Sequence, residues 1–442
     1  MPTHTENNSL RKRAKRYAKV STTVASVGAQ VIGARTMGGG SNSPKEAALF
    51  RAALGGLKGP LMKVAQLAAS IPDFLPPEHA AALMALQADA PSMGWPFVRR
   101  RMMAELGADW QARFKSFEQK AAAAASLGQV HRAVAKDDRA LACKLQYPDM
   151  ESVVEADLQQ LKMIFGLIER FDGALRTKDV FHEIADRLRE ELDYRREARN
   201  MNLYHDMLAE VDGVHVPEPV PELSTARLLT MTWLYGEKLV DIVGSRDQAA
   251  RNAIAINMFR LWYTPFYQYG VIHGDPHLGN YTVRADNSIN LLDFGCIRVF
   301  RPELVHAVVM LYFALRDKNE AQAVEAYKLW GFKNPTKELI DVLSVWARFV
   351  YAPLLEDRIQ SVEETNATAY GRETAGKVHR ALKKIGGVTI PPEFVLLDRA
   401  SIGLGSVFLR LKAEVNWFQL FHTMTSDFDV EKIRERQKSN AL

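Results

Sequence analysis

The strongest constraint on this chain is the segment 269–297, YGVIHGDPHLGNYTVRADNSINLLDFGCI, where polar residues follow short apolar runs at fixed intervals. HGD occupies 273–275, Asn280 follows five residues after its aspartate, and DFG begins thirteen residues later at Asp293. The apolar runs predict two short strands, with a turn over residues 285–288 between them. The polar groups are therefore expected around one hairpin.

These polar groups fit the chemistry of phosphoryl transfer. That reaction needs a carboxylate near the attacking hydroxyl, and oxygen ligands for a Mg²⁺ ion that bridges the phosphates. Asp275 fits the first role, and Asn280 and Asp293 fit the second. HGD or DFG alone arises by chance, but both in this order and spacing match the catalytic and metal-binding segments of a protein-kinase-like fold.

The composition indicates a folded, intracellular type of chain. Its 442 residues, 47% of them hydrophobic and 25% charged, suffice for one large bilobed domain with an extension. The two cysteines, Cys143 and Cys296, exclude a disulfide framework and a cysteine-based zinc site, and we expect both to be small buried packing residues.

Basic residues are concentrated at the N-terminus. Residues 1–40 contain seven Lys or Arg and one acid, which gives this segment a charge of +6. Because the whole chain has a net charge of +5, the remaining residues sum to −1. They therefore give no reason to expect binding to nucleic acid. The run LRKRAKRYAK (10–19) precedes a weakly apolar stretch, and two interpretations stay open: a flexible solvated tail, or attachment to an anionic membrane surface. An acid-poor start is also typical of transit peptides.

The expected location is the cytoplasm, with any attachment peripheral to the inner membrane. The sequence contains no signal-peptide pattern. It also contains no run of about eighteen apolar residues, the length that a transmembrane helix requires.

Residues 44–108 predict a helical extension. A proline at position 44, behind a serine cap, favours a helix over 45–70. Lys63 and Gln66 lie three residues apart on this helix and therefore share a face. Two further amphipathic helices are predicted over 78–90 and 95–106.

Residues 112–147 change to an alternating period and predict three antiparallel strands. The alanine-rich stretch 121–128 lies between the first two, where a kinase has a glycine-rich loop that lets the backbone approach phosphates. Alanine and serine permit a close approach with less conformational freedom than glycine. Lys144, on the third strand, is placed to bind the α- and β-phosphates. The predicted nucleotide contacts in the loop are Ala122, Ala123, Ala124, Ala125 and Ser126.

A strand-borne lysine of this kind needs a carboxylate partner on a helix. After a helix over 150–172, a second one over 178–207 offers Glu191, Asp193 and Glu197. Glu197 is the natural choice, but a helix with so many charges does not single one out.

The order of the predicted elements defines an α+β class: a bilobed protein-kinase-like fold with an N-terminal helical extension. Strands over 214–220 and 226–234 complete a small five-stranded N-lobe. The residues after 237 form a helical C-lobe, with helices predicted over 248–269, 301–316, 319–330, 335–354, 370–384 and, with breaks, 391–422. The chemistry is expected at the junction of the two lobes. The predicted division is a basic tail at 1–43, the extension at 44–108, the N-lobe at 109–235, the C-lobe at 236–425 and a C-terminal tail at 426–442.

Taken together, these motifs resemble the AarF/UbiB family of atypical kinases, which includes the ADCK proteins, over roughly residues 20–425. The resemblance rests on Lys63-Val64-Ala65-Gln66 for the family's KxGQ motif, the AAAAASLGQV loop, Lys144, Glu191-Leu192-Asp193 for its ExD motif, Glu197, HGDPHLGN and DFG.

The resemblance implies specific roles. Lys63 and Gln66 would fold over the nucleotide site with Glu191 and Asp193 as their partners, and Glu197 would pair with Lys144. It also implies binding of ATP with Mg²⁺, and ATPase or kinase-like activity toward a small or lipid-like molecule. The implied setting is ubiquinone (coenzyme Q) biosynthesis at a membrane, with biosynthetic enzymes as partners.

The chain departs from the family pattern at Ala65, where the motif has glycine. A helix accepts alanine better than glycine, so we expect the motif to function. Members such as bacterial UbiB carry C-terminal membrane spans, whereas this sequence reads FHTMTSDFDVEKIRERQKSNAL over 421–442, which favours peripheral attachment.

A protein substrate is not expected. Only residues 296–301 separate DFG from a helix start at Pro302, and no Ala-Pro-Glu motif follows. Gly274 stands where regulated kinases have an arginine that binds a phosphorylated activation loop. We therefore expect a small or lipid-like acceptor, or water, at Asp275.

Three functional hypotheses differ in class. The first is an ATPase or phosphotransferase, and the intact set of Asp275, Asn280 and Asp293 favours it. The second is a pseudokinase scaffold that recruits membrane biosynthetic enzymes when nucleotide is bound. The third is an aminoglycoside- or choline-kinase-like enzyme, against which the DFG phenylalanine, the KVAQ helix and the alanine-rich loop count.

Overall fold

The computed structural model describes residues 93–125, 127–171, 177–242, 244–332, 335–362 and 391–442, with the isolated positions 378, 381 and 385. The basic tail, the helices predicted over 45–70 and 78–90, Ser126 and most of the helix predicted over 370–384 lie outside these residues.

The helices within the described residues are mostly those that the hydrophobic periodicity predicts. They are Trp95–Leu106 (α1), Met150–Phe171 (α2), Thr177–Glu190 (α3), Tyr194–Leu208 (α4), Leu239–Ile242 (α5), Gln248–Tyr269 (α6), Pro302–Arg316 (α7), Glu320–Trp330 (α8), Lys337–Tyr351 (α9), Pro392–Leu411 (α10), Trp417–Thr425 (α11) and Val430–Ser439 (α12).

The strands are short. They are Phe114–Phe117 (β1), Ala123–Ala125 (β2), Gly128–Ala135 (β3), Ala140–Gln146 (β4), Val214–His215 (β5), Leu228–Thr232 (β6), Glu237–Lys238 (β7), Val271–His273 (β8), Tyr281–Val283 (β9), Ile289–Leu291 (β10), Ile297–Val299 (β11), Gln360–Ser361 (β12) and Glu414–Val415 (β13).

The chain divides into two compact units. The first, here called the sheet unit, comprises the residues up to Ala198 together with Pro219–Trp233. The second, here called the helical unit, comprises Arg199–Glu218 and Leu234–Leu442. A sheet-rich first part and a helical second part confirm the predicted α+β class.

The sheet unit is built on five antiparallel strands in the order β1–β3–β4–β6, with β2 on the same edge of β3 as β1. The number of strands agrees with the prediction, but their identity does not. The alanine stretch contributes β2, whereas the strand predicted over 214–220 is wrong: only β5 forms there, and it pairs in parallel with β10 of the helical unit. Pro217 and Pro219 explain the difference, because proline has no N–H to donate to a sheet.

The core of the sheet unit lies between α1 and the inner face of the sheet. Val98 and Met102 of α1 pack with Trp110, Cys143 and other buried residues of the strands. Gly128 allows β3 and β4 to approach, because a Cβ atom there would lie 2.1 Å from the Leu145 carbonyl oxygen. The packing of the two strands therefore requires a glycine at this position.

The helical unit is organised around α6. Asp247 caps its first turn by accepting a hydrogen bond from the Ala250 N–H at 2.8 Å, and Gly270 ends it in the left-handed region at φ 68°. Because α6 carries buried residues all around it, the other elements pack on every side. The antiparallel pair β8 and β11 follows directly from its C-terminal end.

The predicted C-terminal tail contains a docked helix, α12. The Gln437 side-chain amide donates to the carbonyl oxygens of Tyr269 and Phe300, each at 2.8 Å. Ile433 is fully buried, and the Arg436 guanidinium lies 5.1 Å from the centre of the Tyr269 ring. The prediction of a tail over these residues is therefore wrong.

Within the ranges that the structure describes, the helices are too short or too polar to cross a bilayer.

The core of the sheet unit makes Cys143 testable. Its side chain is fully buried, and burial raises the pKa of the thiol to about 12. Because the thiolate is the reactive form, we expect iodoacetamide at pH 8 to modify Cys143 at least about 100-fold more slowly in the native protein than in guanidinium. A Cys296→Ser variant, in which Cys143 is the one remaining thiol, isolates the signal for mass spectrometry. Equal rates in both states would contradict the packing described.

Candidate active site

The sheet unit contains a buried ion pair between a strand and a helix. Lys144 Nζ on β4 lies 2.6 Å from Glu197 Oε1 on α4, and the two side chains are 8% and 4% exposed. The ammonium group also lies 5.3 Å from the centre of the Tyr194 ring, within range of a cation–π interaction. The charged end of Lys144 is therefore held in place by its surroundings.

The turn that contains Glu191 and Asp193 positions this pair. The helix predicted over 178–207 is interrupted there, between α3 and α4. Asp193 Oδ1 accepts hydrogen bonds from the N–H groups of Arg195 and Arg196, at 3.0 and 3.2 Å, and so caps the helix that carries Glu197. The predicted partners of Glu191 and Asp193, Lys63 and Gln66, lie outside the described residues.

The alanine-rich stretch forms one arm of a tight hairpin. Ala123, Ala124 and Ala125 pair with Val130, Gln129 and Gly128. Ala123 and Ala124 are exposed and Ala125 is partly buried. Small residues in this arm leave the backbone accessible to a bound group.

In the helical unit, His273 joins the HGD and DFG segments. The ring is fully buried, with its Nε2 atom 2.8 Å from the Asp293 carbonyl oxygen. The Asp275 N–H donates to its Nδ1 atom at 3.3 Å. Since Nδ1 accepts a hydrogen bond, Nε2 must carry the proton and donate to Asp293. One neutral imidazole thus fixes the backbone of both loops.

Three side chains with oxygen atoms, those of Asp275, Asn280 and Asp293, lie in and next to the two loops that His273 joins. Asn280 donates through Nδ2 to the Asp275 carbonyl oxygen at 3.2 Å, and its Oδ1 atom has no hydrogen-bond partner among the described residues. Asp293 Oδ1 accepts from the Gly295 N–H at 2.9 Å, and Asp275 Oδ1 accepts from the His277 N–H at 3.2 Å. Hydrogen bonds of this kind orient each carboxylate.

The donor set suits Mg²⁺ delivered with a nucleotide. In the described part of the chain, no group of three or more His, Cys, Asp or Glu side chains is placed to hold a metal ion. Mg²⁺ in phosphotransferases binds through one or two protein ligands and the substrate phosphates, and it prefers hard oxygen atoms. The amide oxygen of Asn280 and the carboxylate of Asp293 supply such atoms.

The Tyr281 hydroxyl lies behind these acids. Burial, followed by the negative charge of Asp275, raises the pKa of Tyr281 well above its ordinary value of 10. The indole N–H of Trp262 donates to the same hydroxyl at 3.0 Å. Tyr281 is therefore a neutral hydroxyl in the floor of this region.

Two glycines allow close contacts around the HGD loop. A Cβ atom at Gly274 would lie 2.7 Å from the Cys296 Sγ atom, so the residue after DFG leaves no room for a side chain there. On the other side, a Cβ atom at Gly403 of α10 would lie 2.3 Å from the Pro276 ring. Cys296 is only partly buried, whereas we predicted a small buried packing residue.

Sequence reasoning missed several residues that hold the site together. Tyr194 faces the lysine, Gln146 donates to the Leu192 carbonyl oxygen at 3.1 Å, and Asn200 donates to the Phe294 carbonyl oxygen at 2.8 Å. His273 was part of a predicted motif, but its bridging role was not predicted. The signal for Tyr194 and Asn200 was available in part, since they lie three residues before and after Glu197 on α4.

These features define a protein-kinase-like chain. The sheet unit has a strand lysine paired with a helix glutamate, and the helical unit has the HGD-x4-N and DFG loops. The family model described as "ABC1 atypical kinase-like domain" matches residues 85–327, which is more than half of the chain. The chain belongs to the ABC1 atypical kinase-like family. This finding confirms the resemblance to AarF/UbiB proteins.

Relatives of the chain carry names consistent with this family. Atypical kinase coq-8, mitochondrial, of Caenorhabditis elegans is 29% identical over 345 residues, which cover 75% of this chain and 44% of the relative. Atypical kinase COQ8, mitochondrial, of Saccharomyces cerevisiae is 29% identical over 295 residues, with coverage of 65% and 59%. The chain thus spans about half the length of the curated relatives it matches.

Among solved structures, the Mycobacterium tuberculosis protein Rv3197, determined in complex with erythromycin, is similar with a TM-score of 0.63 and 24% sequence identity. The similarity covers 89% of this chain and 98% of that chain. It supports the fold.

The buried ion pair predicts a large cost for removing either charge. Lys144→Ala or Glu197→Ala leaves the other charge buried without its main partner, and we expect a loss of about 3–5 kcal/mol in the free energy of unfolding. The double variant Lys144→Met/Glu197→Leu should lose much less, because hydrophobic side chains of similar size replace both charges. Urea denaturation of the four proteins tests this. Single variants within about 0.5 kcal/mol of the wild type would contradict a buried pair.

The close contact at Gly274 predicts a specific dependence on Cys296. We expect Gly274→Ala to destabilise the protein by about 1–3 kcal/mol, because the new methyl group overlaps the Cys296 sulfur atom. Cys296→Ala should recover part of that cost in the double variant, and cost little by itself. Thermal or urea unfolding of the cycle measures the coupling. Additive effects would show that the two positions do not contact each other.

Proposed function

We propose that the chain binds Mg²⁺·ATP and transfers the γ-phosphoryl group to a small or lipid-like acceptor, or to water. The observation that supports the proposal most strongly is the neutral His273 bridge, because it holds the HGD and DFG loops together. A scaffold with no chemistry has no evident need for that bridge and for all three polar side chains beside it.

Each residue has a role in this proposal. Lys144, held by Glu197, binds the α- and β-phosphates, while the backbone at Ala122–Ser126 covers them. Asn280 and Asp293 bind Mg²⁺, which withdraws negative charge from the phosphates when bound. Asp275 accepts the proton of the attacking hydroxyl.

Lys63, Gln66, Glu191 and Asp193 are proposed as further nucleotide-site residues. Asp193 also caps α4, so its side chain serves the geometry of Glu197 as well. The family resemblance, and not a described contact, carries the part that concerns Lys63 and Gln66.

We infer a small or lipid-like acceptor because the segment after DFG is short. β11 ends at Val299 and α7 begins at Pro302, so no long platform for a peptide lies between them. The names of the COQ8 relatives support ubiquinone biosynthesis as the process served, with other biosynthetic enzymes as partners. The basic run at 10–19 supports contact with an anionic membrane surface.

Hydrolysis of ATP tests the catalytic proposal. We expect Mg²⁺-dependent turnover by the wild type, and a loss of about 100-fold or more in Asp275→Asn and in Asp293→Asn. Asp286→Asn is the matched control: this aspartate lies in the turn of the β9–β10 hairpin and hydrogen-bonds to Ser288, away from the proposed chemistry. It should retain wild-type turnover.

Liposomes separate the remaining outcomes. Stimulation by anionic but not neutral vesicles would support the membrane surface. Turnover that survives in both aspartate variants would place the chemistry elsewhere. If no protein turns over ATP but nucleotide still raises the melting temperature, the scaffold hypothesis replaces the enzyme.

A further inference from the structure

The helical unit contains a cavity of about 500 Å³ that phosphoryl transfer does not use. Its walls come mainly from helices α6 to α11. Sites for small molecules typically measure about 300–1,000 Å³, so this cavity has the size of a ligand site. An apolar cavity of this size is costly to leave empty, because its lining atoms have no contacts on one side.

The lining is uncharged. Among the described residues that form the wall, there is no Asp, Glu, Lys, Arg or His. Aromatic rings dominate, among them Phe259, Phe408 and Trp417, which pack against one another with centroids 4.5 to 6.5 Å apart. An ion entering here would lose its hydration without gaining a counter-charge. The lining therefore selects an uncharged molecule that is mostly hydrocarbon.

The wall also presents the hydroxyl of Tyr267. Tyr267 is only 6% exposed, and its hydroxyl has no hydrogen-bond partner among the described residues. Its neighbours differ: the hydroxyl of Tyr263 bonds to Ser401, and that of Tyr351 donates to the Val308 carbonyl oxygen at 3.0 Å. The Tyr267 hydroxyl is therefore open to a hydrogen bond with a group inside the cavity.

The tyrosine is also neutral. Burial raises the pKa of Tyr267 well above 10, and the neighbouring tyrosines add to this effect. The hydroxyl is thus available as a donor or an acceptor to a neutral polar group, and it supplies no negative charge.

We propose that this cavity binds an uncharged, mostly hydrocarbon molecule with a single hydroxyl or carbonyl group, which forms a hydrogen bond with Tyr267. The site is separate from the residues that the proposed phosphoryl transfer uses, and its test requires no turnover. Helix α10 provides the entrance, since Ile402 is 47% exposed and Ser406 is exposed, and both line the cavity.

A matched pair of probes tests the chemical class. We expect 1-decanol to bind saturably in isothermal titration and to raise the melting temperature of the full chain. Decanoate has the same chain length but a negative charge, and should bind at least about tenfold more weakly. No binding of 1-decanol, or equal binding of the two probes, would overturn the proposal.

Gly405 provides a position at which a larger side chain tests the cavity. It lines the cavity, and a Cβ atom there would meet no other atom within 4 Å. We expect Gly405→Phe to fold with an unchanged or higher melting temperature and to bind 1-decanol at least about tenfold more weakly. Gly405→Leu is the smaller substitution if phenylalanine prevents folding. Undiminished binding by a folded Gly405 variant would show that the probe binds elsewhere.

Gly244 supplies the matched control. Its position is also open, with no atom within 4 Å of a Cβ, but it does not line the cavity. Gly244→Phe should bind 1-decanol as the wild type does. Tyr267→Phe removes only the hydroxyl and should weaken 1-decanol binding about tenfold. Unchanged affinity in Tyr267→Phe would exclude the hydrogen bond that the proposal requires.

Discussion

The buried ion pair between Lys144 and Glu197 is the interaction on which the sheet unit depends. Moving two charges out of water costs free energy, and their mutual attraction offsets this cost only when their geometry is nearly ideal. Much of the local structure supplies that geometry: Asp193 caps the helix of the glutamate, and Gln146 ties the preceding turn to the strand of the lysine. Gly128 lets the strands approach, with the Tyr194 hydroxyl beside them. The chain therefore gives up some stability to hold the ammonium group of Lys144 in a fixed position.

In the helical unit, the neutral side chain of His273 holds the catalytic loops in position. His273 uses both ring nitrogens on backbone atoms, so HGD and DFG keep their positions without an added charge. Charges on Asp275 and Asp293 are then left for the chemistry. The group behind the loop is also neutral: the Tyr281 hydroxyl accepts a hydrogen bond from the Trp262 indole N–H. Fixed neutral groups around two acids are what a site for a highly charged substrate requires.

The sequence predicted this molecule best where structure is local. The motif spacing and the period of the helices depend on neighbouring residues, so α6 and the catalytic hairpin were predicted nearly to the residue. The alanine strand β2 was missed because we predicted a loop over this stretch, where kinases have a glycine-rich loop, whereas residues 123–125 pair with β3. Helix α12 was missed because it docks through Gln437 and Arg436 on distant backbone atoms. The contact of Gly403 with Pro276 is equally long-range.

The docking of α12 has a consequence for the timing of synthesis. Gln437 bonds to the carbonyl oxygen of Phe300, 137 positions earlier, at the base of the β8–β11 pair that leads into the HGD loop. Ribosomes add about 5–20 residues per second, so this anchor forms on the order of 10 s after Phe300 is made. During that interval the nascent chain holds its catalytic motifs without their final support. The HGD loop therefore gains this support only after residues far downstream have been translated.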